Sequence, residues 1–130
     1  MLWLVRSAMC DMLPGGAGLP GLAQAGIDPF LARLYRETTP MVWAGMLLGA
    51  VVDVCTPVLT VYVPLPSMWL PRGLRDRHAA RITSTNIYLL RQTVFLLKMY
   101  ACMCWGQDEN VRRLLHVAAY PVDPGTFRTT

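Results

Sequence analysis

The segment STNIYLLRQTVFLLKMYACMCWG, residues 84–106, has the pattern of a long helix with almost no polar surface. It contains no proline, no glycine before its last position, and only two charged residues, Arg91 and Lys98. Because an α-helix turns by about 100° per residue, these two cations lie on one narrow stripe. A helix that is apolar on most of its circumference must be covered on most sides, and a chain of 130 residues has few other elements to cover it.

The composition points to the same shortage of covering elements. Hydrophobic residues make up 54% of the chain and charged residues 15%, against about 45–50% and about 25% in typical soluble domains. A small soluble monomer should be more polar than average, since its surface is large for its volume. The composition therefore predicts a second apolar surface, either a bilayer or a partner protein. The net charge of +4 comes without a basic tract interleaved with aromatic residues, which argues against nucleic-acid binding.

The first part of the chain predicts two short helices separated by an irregular arm. Residues 1–13 form an amphipathic pattern that ends at the PGG break of residues 14–16. The Pro/Gly-rich stretch that follows should be irregular. A second helix should begin at Asp28, with Asp28 as the N-cap and proline in the first turn. Residues 1–27 are thus interpreted as an N-terminal helix and arm.

The second apolar segment, residues 41–63, is long enough to cross a bilayer, since about 20 apolar residues suffice. Thr39 and Pro40 supply a helix start. Two residues argue against a simple membrane span. Asp53 would be costly in lipid if unpaired, and Pro57 removes the hydrogen bond to the carbonyl of Asp53, which ends or kinks the helix. A buried core or interface helix is therefore favoured.

The third part of the chain contains its only strongly charged stretch, RGLRDRHAAR, residues 72–81. It is interpreted as a solvated helical face with His78 pointing to solvent. The functional alternative is a basic patch for an acidic partner or for anionic lipid headgroups. A hydroxyl residue at 83–85 should cap the long helix, Asp108 should cap a last short helix, and residues 118–130 should form an extended arm.

No alternation typical of hairpin strands occurs in the sequence. The predicted fold is all-α, a small irregular helical bundle with two long apolar helices and extended Pro/Gly-rich arms. Residues 1–130 form a single domain.

Sequence motifs for chemistry are missing. No Gly-rich phosphate loop, no C-x-x-C-H haem attachment and no local set of nucleophile, base and orienting group is present. The four cysteines have no disulfide or zinc spacing and are interpreted as buried structural residues: Cys10, Cys55, Cys102 and Cys104. We therefore expect no catalytic residue, no cofactor of its own and no metal site.

The charges inside the two apolar segments suggest a structural pair. If the two helices pack antiparallel, Asp53 could form an ion pair with Arg91 or Lys98, which would fix the helix register. The alternative is that Arg91 and Lys98 extend to water along the exposed stripe.

The order of these features resembles a known module. The stretches are LPGGAGLPG, IDPFLARLYRETTP, RGLRDRHAARI, IYLLRQTVFLLK and YACMCWGQDENVRRLL. Together they are similar to the small helical module found beside, or fused ahead of, bacterial flavin dehydrogenases of the glucose–methanol–choline (GMC) oxidoreductase type. The resemblance covers roughly residues 13–120. The matching positions are Tyr88, Arg91, Leu97, Lys98, Cys102, Trp105, Asp108 and Val111.

The resemblance implies a non-catalytic accessory subunit that stabilises or membrane-docks a large flavoprotein dehydrogenase subunit. FAD would lie in that partner, and a cytochrome subunit and a membrane surface are further expected partners. The expected structural or interface residues are Tyr88 and Trp105, in addition to Asp53, Arg91 and Lys98. The expected location is cytoplasmic or peripheral at the inner membrane, or periplasmic after co-export with a signal-bearing partner.

The alternative reading is a small integral membrane protein, such as the anchor subunit of a respiratory complex. Its spans would be residues 41–63 and 87–105.

Overall fold

Helices account for 74% of the residues that the structure describes, which confirms the all-α prediction. The computed structural model describes residues 2–16 and 18–118, and within them it contains helices, turns and one isolated bridge but no strand. The α-helices are α1 Leu2–Met12, α2 Ile27–Glu37, α3 Pro40–Cys55, α4 Pro57–Thr60, α5 Arg72–Thr83, α6 Tyr88–Gln107 and α7 Glu109–Leu114. Two 3₁₀ turns lie at Leu22–Gln24 and Ser67–Trp69.

The centre of the fold is the packed pair of α3 and α6. Gly45 of α3 lies against Leu96, and Gly49, one turn later, lies against Thr93. The contacts run in opposite chain directions, so the two helices are antiparallel. A Cβ atom at Gly49 would lie 2.5 Å from the carbonyl oxygen of Thr93, and glycine therefore sets the close approach of the two backbones.

Helix α1 closes the other side of this pair and completes the core. Its end at Met12 confirms the predicted helix of the first residues. The buried core side chains from α1, α3 and α6 are Val5, Ala8, Met9, Met12, Met46, Ala50, Val94, Leu97, Ala101 and Cys104.

The Pro/Gly-rich arm packs on the body of the protein. Leu22 is fully buried, and its amide donates to the carbonyl of Leu13 at 3.0 Å. A Cβ atom at Gly15 would lie 2.5 Å from the amide nitrogen of Gly21. Two segments of the arm thus touch through their backbones, and the arm is part of the core.

Two predicted helix starts are wrong. The N-cap of α2 is Gly26, with φ 64°, and Asp28 lies in the first turn, where its carboxylate pairs with Arg6 at 2.7 Å. Helix α6 begins after Ile87 without a side-chain cap. The hydroxyls of Thr83 and Ser84 instead donate to carbonyls near the end of α5. These two residues therefore close the preceding helix and do not cap α6.

Other predicted boundaries are confirmed. Helix α3 ends at Cys55, immediately before the Pro57 turn. Asp108 caps α7, and its carboxylate accepts from the amides of Asn110 and Val111. The predicted C-terminal arm lies, from residue 119 onward, outside the described residues.

Candidate functional site

A buried polar cluster lies where α3, α4 and α5 meet. Within the described residues, its members Asp53, Ser67 and His78 are the polar side chains that the core encloses, and Asp53 and His78 each expose about 1% of their surface. Buried polar groups are costly unless they are hydrogen-bonded. The partners of these three side chains therefore explain why α5 docks at this position.

The break after α3 creates the need for His78. In an uninterrupted helix the carbonyl of Asp53 would accept from the amide of residue 57, but Pro57 has no amide hydrogen. The imidazole Nε2 of His78 lies 2.9 Å from this carbonyl oxygen. His78, which lies 25 residues away in the sequence, thus supplies the donor that Pro57 cannot.

This bond also places a hydrogen on one ring nitrogen of His78. A carbonyl oxygen only accepts, so Nε2 carries a hydrogen and donates it to Asp53. The hydroxyl of Thr60 lies 2.5 Å from Nδ1 and forms a hydrogen bond with it. The main-chain carbonyl of Thr60 in turn accepts from Nη1 of Arg81. A continuous chain of bonds thus runs from buried Asp53 to the surface at Arg81.

The carboxylate of Asp53 is held less tightly than its carbonyl. Its Oδ1 lies 3.4 Å from Nε2 of His78, and Ser67 donates to Oδ2 at 3.5 Å. The order hydroxyl, imidazole, carboxylate occurs in hydrolases. Here, however, the shorter bond of the imidazole goes to a main-chain carbonyl, and the cluster acts first as a clamp on the helix break.

A second, partly buried pair lies beside this cluster. Arg75 contacts Asp11 at 2.8 Å and donates to the carbonyls of Met68 and Leu70 at 3.2 and 3.1 Å. Burial raises the pKa of the Asp11 carboxyl, and the nearby charge of Asp53 adds to the rise, whereas the Arg75 guanidinium opposes it. The pair joins α1 to α5.

An open groove of about 520 Å³ adjoins the surface end of the cluster. It lies between α4, the end of α5 and the start of α6. Among the described residues that line it, Arg81 carries the only charge, and the others are apolar residues, Tyr62 and three threonines. We call it the α4–α6 groove and define it by Thr60, Arg81, Ile82, Thr85, Ile87 and Leu90.

The predicted ion pair between Asp53 and Arg91 or Lys98 is wrong. Asp53 faces α5, where it meets His78. Arg91 and Lys98 are exposed, and they lie on the side of α6 opposite Leu96, which contacts α3. Both cations line a separate groove of about 390 Å³ with Phe95. They follow the alternative arrangement, a stripe that reaches water.

The two predicted aromatic residues have different environments. Tyr88 is exposed at the start of α6, and the guanidinium of Arg91 lies 6.0 Å from its ring centre, at the limit of a cation–π contact. Trp105 is half-buried, and its indole Nε1 donates to the carbonyl of Pro20 at 2.8 Å. Trp105 therefore fixes the N-terminal arm to α6.

The interpretation of His78 as a solvent-facing residue is wrong. Its helix is strongly charged, and this pattern hides its two buried side chains, His78 and Ile82. The useful signal was the orphaned carbonyl of Asp53, since a buried acceptor requires a donor from elsewhere.

The cysteines are only partly as predicted. Cys104 is buried, and burial raises the pKa of its thiol to about 11. Cys55 and Cys102 are exposed, so their interpretation as buried residues is wrong. Over the described ranges, no three His, Cys, Asp or Glu side chains are grouped so that they could hold a metal.

The outer face of α3 is apolar and exposed. It consists of Met41, Ala44, Leu48, Val51 and Cys55. Met41 exposes 85% of its surface and Leu48 53%, and beyond the helix break Leu59 exposes 68%. Between residues 40 and 62 the only charged residue is Asp53, which points inward. A charge-free apolar face of this kind is a candidate interaction surface.

Among the described helices, none alone has both the length and the apolar composition for a membrane span; α5 and α6 meet that test only as a pair, with a bend of 120° between them. No protein family, curated protein or solved structure matches the chain.

Proposed function

We propose that this chain is a non-catalytic accessory module that binds a larger protein through the outer face of α3. The exposure of that face is the observation that carries the proposal. Its five exposed residues follow helical spacing and contain no charge. A solvated helix face normally carries charged residues, and their absence over four turns is explained by a protein that covers the face.

Helix α6, which packs on α3, also carries exposed apolar side chains. They are Leu89, Phe95, Met99 and Met103. Exposed apolar and aromatic side chains are typical of the centre of a stable interface, which a polar rim surrounds. The cations Arg91 and Lys98 supply such a rim beside Phe95.

The proposed partner is a large flavoprotein dehydrogenase subunit or domain of the GMC type. The sequence resemblance described above supports this choice, and the apolar surface supports a permanent rather than a transient contact. In this arrangement the partner holds FAD, and this chain contributes surface burial. A cytochrome subunit and a membrane surface are further proposed contacts of the assembly.

Co-expression with a GMC-type flavoprotein encoded beside this chain, or in the same reading frame, tests the proposal. The double variant Leu48→Glu/Val51→Glu places two charges on the outer face and should abolish co-purification. The control Ala32→Glu adds a charge at an exposed position of α2 and should retain it. Co-purification that survives the double variant would contradict the proposed interface.

The isolated chain provides an independent measurement. Sedimentation velocity should show concentration-dependent association of the wild-type chain and a monomer for the double variant, since the apolar face would otherwise contact water. A wild-type chain that stays monomeric and unfolds cooperatively would argue against an obligate partner. Extraction with alkaline carbonate addresses the membrane alternative: an accessory subunit is released, whereas an integral protein is retained.

A further inference from the structure

The α4–α6 groove has the size of a small-molecule site. Its volume of about 520 Å³ falls within the range of about 300–1,000 Å³ that ligand pockets occupy. The lining divides by chemistry. Ile82, Ile87 and Leu90 form apolar walls, and Thr60 and Arg81 form a polar end. Such a division suits a ligand with an aliphatic chain and a polar head.

Arg81 determines the charge that this head should carry. It is the only charged side chain in the lining, and no carboxylate pairs with it among the described residues. Its Nη1 donates to the carbonyl of Thr60, which positions the guanidinium. The edge formed by Nε and Nη2 has no partner in the described part of the chain. This edge offers two parallel N–H groups, the arrangement that binds a carboxylate in two places.

The polar end is held in position before any ligand arrives. Thr60 is fixed twice, because its hydroxyl is hydrogen-bonded to His78 and its carbonyl accepts from Arg81. His78 is itself anchored on the carbonyl of Asp53 at 2.9 Å. A site that needs little reordering loses less free energy on binding. The buried cluster therefore serves as the support of the groove.

We propose that the α4–α6 groove binds an aliphatic monocarboxylate, with the carboxylate on Arg81 and the chain along Ile82, Ile87 and Leu90. The inference is independent of the accessory role and of the outer face of α3. A neutral alcohol of the same chain length would fill the same walls but would leave the guanidinium edge without an anion.

Titration of the full chain with octanoate and with octanol, followed by amide chemical shifts, tests the proposal. Octanoate should shift the amides of Thr60, Thr85 and Ile87 and leave those of Leu48 and Val51 in place. It should bind at least about tenfold more tightly than octanol, since a hydrogen-bonded charge contributes more than a neutral contact. Equal affinity for the two ligands, or shifts confined to the outer face of α3, would overturn the proposal.

Three variants separate the head contact from the chain contact. Arg81→Gln should reduce octanoate binding to the level of octanol and leave octanol binding unchanged. Ile87→Trp, at an exposed position, should fill the groove and weaken both ligands. Arg77→Gln changes the net charge equally at an exposed site outside the groove and should leave both affinities unchanged. An octanoate affinity that Arg81→Gln does not alter would refute the assignment of the head.

Discussion

The bond between His78 and the carbonyl of Asp53 leads to a quantitative prediction. His78→Ala removes the imidazole donor, and Pro57 cannot replace it. A buried acceptor left without a partner costs about 1–3 kcal/mol, and the lost bond to Thr60 adds about 1 kcal/mol. We therefore expect the free energy of unfolding to fall by about 3 kcal/mol, measured by urea denaturation with far-ultraviolet circular dichroism.

A double-mutant cycle with Pro57 tests the physical reason. Pro57→Ala restores an amide hydrogen at residue 57, so the helix itself can supply the donor to Asp53. The cost of His78→Ala should then fall by about 1–2 kcal/mol in the Pro57→Ala background. His116→Asn is the control: His116 is exposed with φ 54°, asparagine tolerates this conformation, and stability should not change. Strictly additive effects of the Pro57 and His78 substitutions would refute the reasoning.

Three further predictions concern packing, pH and thiol reactivity. Gly49→Ala should lower the free energy of unfolding by about 2 kcal/mol, because the new Cβ would lie 2.5 Å from a main-chain oxygen of α6. The control Gly73→Ala adds a Cβ in open space and should raise the free energy of unfolding by about 0.5–1 kcal/mol. Equal effects of the two substitutions in denaturation experiments would contradict the packing. Burial raises the folded-state pKa of Asp11, so the folded protein binds the proton more tightly than the unfolded chain does. The contribution of Asp11 to stability should therefore rise as the pH falls through that pKa. It should level off below the ordinary carboxyl pKa of 3.8. Denaturation across acidic pH, compared with Asp11→Asn, measures this slope. A disulfide reagent should modify the exposed thiol of Cys102 rapidly. It should modify the buried thiol of Cys104, which has a pKa of about 11, only on unfolding. Mass spectrometry measures the two rates separately, and equal rates would contradict the burial of Cys104.

Local chemistry made several features of the fold predictable. The helix break at Pro57 follows from the missing amide hydrogen, and the cap by Asp108 follows from the reach of its carboxylate to the next two amides. The long apolar helix follows from its periodicity. Asp28 was mispredicted as a cap because Arg6, on another helix, competes for its carboxylate, and sequence spacing does not reveal such a competitor.

The candidate site was only half predictable. The sequence indicated that Asp53 needs a buried partner, but the identity of that partner depends on how α3 rotates against its neighbours. Gly45 and Gly49 turn the small-residue side of α3 toward α6, which leaves Asp53 facing α5. The pairing with His78 and the α4–α6 groove both follow from this rotation, which is a property of packing and not of local spacing.

The break at Pro57 also affects the order in which the chain folds. In the last turn of α3, the carbonyl of Asp53 accepts its hydrogen bond from His78, a residue 25 positions later. Local contacts therefore cannot complete this turn. Its closure must await the arrival of α5, and loop closure of this kind is slower than helix propagation. The end of α3 is therefore expected to form late and to open early. Hydrogen exchange at this turn would report the docking of α5 and not the helix propensity of α3.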